Sequence, residues 1–149
     1  MKKIFTMFIL LSMVIVFNDN AHSASKWTAK AWVDSAIRYY KKHGKAKTMA
    51  TLKVKNGKFH RGSLYVFTWD TRGYITAHPA NHGLIGRNVY NIKDPNGFQF
   101  VKYAVNTAKK RGSGWVKYKW SNPKTKRIQN KITYFKLVDG IIFACGVYI

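Results

Sequence analysis

The stretch that decides the fold is YVFTWDTRGYITAHPANHGLIGRN, Tyr65 to Asn88, followed by DPNG, Asp94 to Gly97, and GSGWVKYKW, Gly112 to Trp120. Ser63 to Trp69 alternates, with Tyr65, Phe67 and Trp69 on one face and Leu64, Val66 and Thr68 on the other, so it is predicted to be a strand. Asp70-Thr71-Arg72-Gly73 has Asp first and Gly fourth, as a type I turn prefers. The chain returns as a second strand, Tyr74 to His78, and the two make a hairpin. Pro79 to Asn91 carries Pro79, Asn81, Gly83, Gly86 and Asn88 and is expected to be a crossover with little regular structure. Asp94 is placed to cap a helix over Pro95 to Lys110, whose buried side carries Phe98, Val101, Ala104, Val105 and Ala108. Gly112-Ser113-Gly114 stops that helix, and Trp115 to Trp120 re-enters as a strand rich in rings.

Outward from this stretch, Lys26 to His43 reads as an amphipathic helix, with Trp27, Ala31, Val33, Ala36, Ile37 and Tyr40 at roughly helical spacing. Ser25 and Thr28 are both suited to cap its start, and Gly44 is expected to end it. Lys45 to Leu52 adds a short helical turn, and Lys53 to Gly62 is expected to be a loop. After Trp120, Asn122-Pro123 opens a loop, Ile128 to Leu137 forms a strand, Asp139-Gly140 turns, and Ile141 to Ile149 forms the last strand. Together these elements predict one α+β domain, with a mostly antiparallel sheet of about five strands and its helices on one face.

The first residues predict export. Lys2 and Lys3 precede an apolar run from Ile4 to Phe17, and Ala21-His22-Ser23 is a small-x-small box, so cleavage is expected after Ser23. The apolar run, roughly 14 residues, is short for a membrane span of about 20. Residues 1–23 are therefore assigned to a signal peptide and 24–149 to the domain, with a periplasmic or secreted location and no transmembrane segment after cleavage. A free domain of this kind would need a membrane-bound partner to pass a signal on. Cys145 is the single cysteine; it sits in an apolar strand and reads as a small buried hydrophobe.

Charge is lopsided: 27 Lys and Arg stand against 5 acids, all of them Asp. Without Lys2, Lys3 and Asp19 the domain keeps 25 cations and 4 acids. Such an excess attracts polyanions in general, but the cations are scattered, which argues against a specific nucleic-acid site. Catalytic inventories are thin. There is no Glu, and Asp70 and Asp139 sit in hairpin turns, which leaves no carboxylate pair; Ser63, Ser113 and Ser121 lack the setting of a nucleophile elbow. His78 and His82 would face the same way only on a helix, which Pro79 and Gly83 oppose. The chain is expected to be neither an enzyme nor dependent on a cofactor or metal.

The aromatic residues point elsewhere. Tyr65, Phe67 and Trp69 on one strand and Tyr118 and Trp120 on another, with His78, Lys131 and Thr133 on the same few strands, describe an apolar wall with a few convergent polar groups. That is the make-up of a small-ligand pocket, and a lysine among the rings suits an anion.

From Trp27 to Ile149 the chain resembles the single Cache domains, PAS-like extracytoplasmic sensor modules of bacterial chemoreceptors and kinases. The likeness is carried by Tyr65-Val66-Phe67, Asp70 with Gly73, Ala77-His78-Pro79, Gly86-Arg87-Asn88, Asp94-x-x-Gly97, Gly112-x-Gly114-x-Val116-x-Tyr118-x-Trp120 with Pro123, Lys131-x-Thr133-Tyr134 and Gly146-Val147-Tyr148. The resemblance implies a long N-terminal helix packed on an antiparallel PAS-like sheet of about five strands with a crossover helix. It also implies a pocket beneath the crossover for a small molecule, with a short organic acid favoured. Tyr65, Phe67, His78, Tyr118, Trp120, Lys131 and Tyr134 are expected to line or support that pocket. Lys131 would pair with the negative group, His78 and Tyr134 would donate hydrogen bonds, and the other rings would form walls. Asp94 and Gly97 are expected to order the crossover and the helix start. The reading is thus an exported Cache domain that binds a small anionic ligand for sensing with a partner. The competing reading is a basic adhesion module that holds polyanions or an acidic partner protein.

Overall fold

The computed structural model describes residues 24–149; the expected signal peptide and its cleavage site lie outside the described residues. Helix α1 runs Lys26–Leu52 and is capped by Ser25, whose Oγ accepts the backbone N–H of Thr28. Gly44 breaks it, with φ 78 and ψ 174, a conformation open in practice to glycine alone. The helix therefore breaks where expected, and a second helical segment follows to Leu52, over the residues the sequence suggested. Ala29, Val33, Ala36 and Ile37 before the break and Thr48, Met49 and Leu52 after it are the buried positions, spaced as one helical face requires.

Six strands follow: β1 His60–Arg61, β2 Leu64–Asp70, β3 Ile75–Ala77, β4 Ser113–Ser121, β5 Ile128–Val138 and β6 Ile141–Tyr148. They form one antiparallel sheet in the order β1-β2-β6-β5-β4, with β3 also paired to β2. The expected strands are all present. The addition is β1, two residues that pair Tyr65 and Leu64 within what reads as a polar loop. Gly73 donates to the Asp70 carbonyl at 3.1 Å, closing the expected turn.

The two helices lie on opposite faces of the sheet, not on one. Leu64, Val66, Tyr134, Phe143, Cys145 and Val147 pack with α1. Tyr65, Phe67, Trp69, Val116, Tyr118, Phe135, Ile142 and Ala144 pack with the second helix, α2, Phe100–Arg111. Strict alternation along each strand sorts these residues. Because β2 and β6 are covered on both faces, they read as continuous apolar runs, which hides the alternation from a hydropathy pattern. Each fully buried Val, Ile or Phe contributes about 1.5–3 kcal/mol, so the two apolar layers give the domain a core that needs no disulfide. Cys145 is fully buried within it, and burial pushes its thiol up to about 12.

The crossover is more regular than its composition suggests. Ile75 donates to the Arg87 carbonyl and Gly86 to the Ile75 carbonyl, at 3.0 and 2.8 Å, while Val89 donates to Gly73. The segment thus runs along the free side of β3 and is held over the α2 face of the sheet. A three-residue 3-10 turn, His82–Leu84, lies within it.

Asp94 does not cap α2, which begins five residues later than expected, at Phe100, with Gln99 at its cap. Its Oδ1 instead accepts the backbone N–H groups of Asn96 and Phe98, at 2.9 and 3.0 Å, and its Oδ2 accepts that of Lys119 on β4 at 3.0 Å. Asx-turn chemistry at Asp94 competes with capping and wins, because one carboxylate there satisfies three donors at once. The side chain therefore fixes the start of α2 against β4. Burial pushes its pKa up, but the hydrogen bonds from Lys119, Phe98 and Asn96 outweigh this and hold it below the usual carboxylate value. We expect Asp94→Asn to cost about 1.5–3 kcal/mol in denaturant melts at neutral pH. A depressed carboxylate pKa lends stability above its unfolded value and loses it as pH falls through the folded one, so the gap between variant and wild type should close in acid.

Candidate ligand-binding site

On the α2 face, between the sheet and the crossover, lies a cavity lined by Tyr65, Phe67 and Trp69 of β2, Ile75 and His78 at β3, Tyr118 and Trp120 of β4 and Lys131 of β5. Leu84, Val89 and Ile92 of the crossover and Phe100 and Val101 of α2 complete it. Its free volume is about 20 Å³, room for one water molecule and little more. The walls explain the tightness. Phe100 stacks on Tyr118 with centroids 3.9 Å apart, Phe67 meets Trp69 edge-on at 4.9 Å, and Trp120 closes on Phe100 at 5.4 Å.

Lys131 is 1% exposed. Its Nζ donates to Tyr65 Oη at 2.8 Å and lies 4.2 Å from the centre of the Tyr65 ring, 5.0 Å from that of Tyr148 and 5.2 Å from that of Phe67. Ring faces replace part of the hydration an ammonium loses on burial. Among the described residues no carboxylate replaces the rest. Asp34 pairs with Lys30, Asp70 with Arg72, Asp94 with the backbone, and Asp139 interacts with Tyr40. Burial accordingly drives the Lys131 amine down to about 7. The titratable groups around it are the phenols of Tyr65, Tyr118 and Tyr148, the His78 ring and the Cys145 thiol.

Gly146, across the β5–β6 ladder, makes the position available. A Cβ on residue 146 would stand 2.6 Å from Lys131 Cε and closer still to Thr133 Oγ1, so any larger residue would displace the lysine. Thr133 in turn shares a hydrogen bond with Tyr118 Oη at 3.1 Å. Desolvation pushes the Tyr118 phenol well above its ordinary value.

His78 is buried, and its ring lies 4.9 Å from that of Tyr65 and 5.4 Å from that of Phe67. Nδ1 accepts the backbone N–H of Asn81 at 2.9 Å, which leaves the proton on Nε2 and makes that nitrogen the donor available to the cavity. Burial, reinforced by the charge of Lys131, lowers its pKa to about 3. The imidazole is neutral at any physiological pH.

Six of the seven expected residues therefore line one cavity. Tyr134 does not. Alternation along β5 sends Lys131, Thr133 and Phe135 to the α2 side and Tyr134 to the α1 side, where its ring lies 5.0 Å from that of Trp115 and 5.4 Å from Lys30 Nζ. A hydrogen-bonding role in this cavity is excluded by that geometry. Sequence reading also missed Phe100, Leu84 and Gly146. Only the buried stripe of α2 hinted at Phe100, and Gly146, although part of the Gly146-Val147-Tyr148 motif, carried no sign that it makes room for Lys131.

The profile of the single Cache domain 2 family matches residues 22–149. Two curated proteins show similarity over 87 residues: the sensor histidine kinase MctS of Rhizobium johnstonii, 31% identical, and the methyl-accepting chemotaxis protein McpP of Pseudomonas putida, 34% identical. The match takes in 57% of this chain but only 19% and 16% of those proteins. Among solved structures, a Cache chemosensory domain studied for its carboxylic acid recognition superposes with a TM-score of 0.72 at 25% identity, covering 83% of this chain and 92% of that one. A methyl-accepting chemotaxis protein from Vibrio parahaemolyticus shares the fold, with a TM-score of 0.73 at 22% identity over 83% of this chain and 88% of that one. The chain belongs to the single Cache domain 2 family, as a sensor domain related to those of chemoreceptors and histidine kinases.

Proposed function

We propose that this domain is an extracytoplasmic sensor that binds a small carboxylate in the cavity between the sheet and the crossover. It would report occupancy to a membrane-bound signalling partner. One observation carries the reading: a fully buried lysine with no carboxylate partner lines an otherwise aromatic and aliphatic chamber. An ammonium in that setting is destabilised until an anion joins it. A ligand carboxylate would supply the missing charge, with Lys131 and the Nε2–H of His78 as donors and Tyr65, Phe67, Tyr118 and Trp120 as walls. The relation to a carboxylic acid-recognising Cache domain supports the same ligand class. With free volume for about one water, binding requires the crossover around Leu84 or the Trp120 ring to give way. That movement is the natural candidate for the signal.

A second reading rests on the surface. Among the described residues only two ion pairs form, Lys30–Asp34 and Arg72–Asp70, so nearly all the basic side chains are uncompensated. Such a surface would hold polyanions or an acidic partner. Retention on heparin tests it: a polyanion-binding function predicts log affinity falling steeply and linearly with log salt, whereas binding in a buried cavity should change little.

The first reading predicts that acetate or propionate raises the melting temperature, with stabilisation of about 2.7 kcal/mol at a hundredfold excess over Kd. Lys131→Met should abolish that response. It should also stabilise the ligand-free domain at pH 6, by on the order of 1–2 kcal/mol, because it removes a buried charge. The sign follows from linkage. Between about 7 and 10.5 the unfolded chain holds the Lys131 proton and the native chain does not, so native stability gains with rising pH across that window. The advantage of Lys131→Met should therefore shrink as pH rises. Carboxylate affinity should fall over the same range, since the charged amine is the binding form. A carboxylate shift that survives in Lys131→Met would remove this residue from the site.

A further inference from the structure

We propose that Lys131 captures small 2-oxo acids covalently, as an imine between Nζ and the carbonyl carbon, within this same cavity. The inference rests on the cavity being the ligand site and names a reaction there that simple ion pairing does not require. Three features of the geometry point to it. First, Nζ lines the cavity and its hydrogen-bond partner is a phenol, Tyr65 Oη at 2.8 Å, rather than a carboxylate. A lysine built only to stay charged is ordinarily paired with a carboxylate when it is buried this deeply. Second, that phenol is a proton donor and acceptor at hydrogen-bond distance from the reacting nitrogen. Burial holds it well above its ordinary pKa, so it remains protonated. Third, the notch at Gly146 gives the lysine stem a fixed path along the ladder, which positions the amine beneath the aromatic walls.

The chemistry balances without an oxidant or reductant. The free amine adds to the carbonyl carbon through its lone pair, and the carbonyl oxygen takes a proton to give a carbinolamine. The hydroxyl then leaves as water, carrying with it the second of the two hydrogens that Nζ held, and a C=N bond remains. Tyr65 is placed to pass protons between nitrogen and oxygen. A 2-oxo acid fits better than a plain ketone, because its carboxylate can accept from His78 Nε2–H while its carbonyl meets Nζ. Protonation of the imine keeps the positive charge beside that carboxylate. The depressed pKa agrees: an amine at about 7 carries on the order of a thousandfold more free base at neutral pH than an ordinary lysine.

The test is reductive trapping. The protein is incubated with pyruvate, or with acetate as a carboxylate that has no reactive carbonyl, then treated with borohydride and digested for mass spectrometry. The expected adduct adds pyruvic acid less one oxygen atom. It should sit on Lys131 at roughly tenfold or greater occupancy than on any exposed lysine, be suppressed by excess acetate, and be absent from Lys131→Met. In Tyr65→Phe it should still form on Lys131 but roughly a hundredfold more slowly, with circular dichroism confirming that the variant is folded. Pyruvate and acetate that both raise the melting temperature with no adduct on Lys131 would overturn the covalent step and leave carboxylate binding standing. Adducts spread evenly over exposed lysines would likewise overturn it. No melting shift and no adduct would overturn both.

Discussion

The site depends on a single unbalanced charge. Lys131 is held beneath three rings, those of Tyr65, Phe67 and Tyr148, with a phenol and no carboxylate as its hydrogen-bond partner among the described residues. Burying such a group costs stability, and a fold keeps it only if the rest of the core compensates. Here two apolar layers do so, one under α1 and one under α2 and the crossover. The strain is local and electrostatic, of the kind an anion would relieve; under the proposed function a ligand would stabilise what the empty state tolerates.

Several structural features serve to place that charge. The β5–β6 ladder sets Lys131 on the α2 face, and Gly146 leaves its stem a path. Tyr118 is fixed by Thr133 from one side and by Phe100 from the other. Phe100 is in place because Asp94 anchors the start of α2 to Lys119 on β4. The crossover, tied to β3 and the preceding turn through Gly86, Arg87 and Val89, forms the roof. The roof is held by fewer strand-like hydrogen bonds than the sheet beneath it, so it is the part best able to move.

Much of this was legible in the sequence, and the failures have physical causes. Period-two alternation put Tyr65, Phe67 and Trp69 together, and it would have separated Tyr134 from Lys131 had the same parity been applied along β5. That error came from reading a motif as a cluster when its neighbouring residues face opposite ways. Nothing in β2 and β6 separates helices on one face from helices on two, because both strands are buried on both sides and show no polar face. Gly44 announced the break in α1, but not that Thr48 Oγ1 would donate back to the Gly44 carbonyl at 2.7 Å across the first turn after it. Asp94 reads equally as a helix cap or an Asx turn, and its third partner, Lys119, is far off in sequence. The role of Gly146 is hidden for the same reason: it leaves room for a side chain on the neighbouring strand β5.

The most direct measurement is the titration of the Lys131 side chain by NMR, following its labelled Cε and Nζ in the free protein and with saturating acetate. The account predicts an amine near 7 in the free domain, against an ordinary 10.5, and a marked rise when acetate binds, because the anion stabilises the charged form. A free-state value already near 10.5 would contradict it, as would a value near 7 that acetate leaves unmoved.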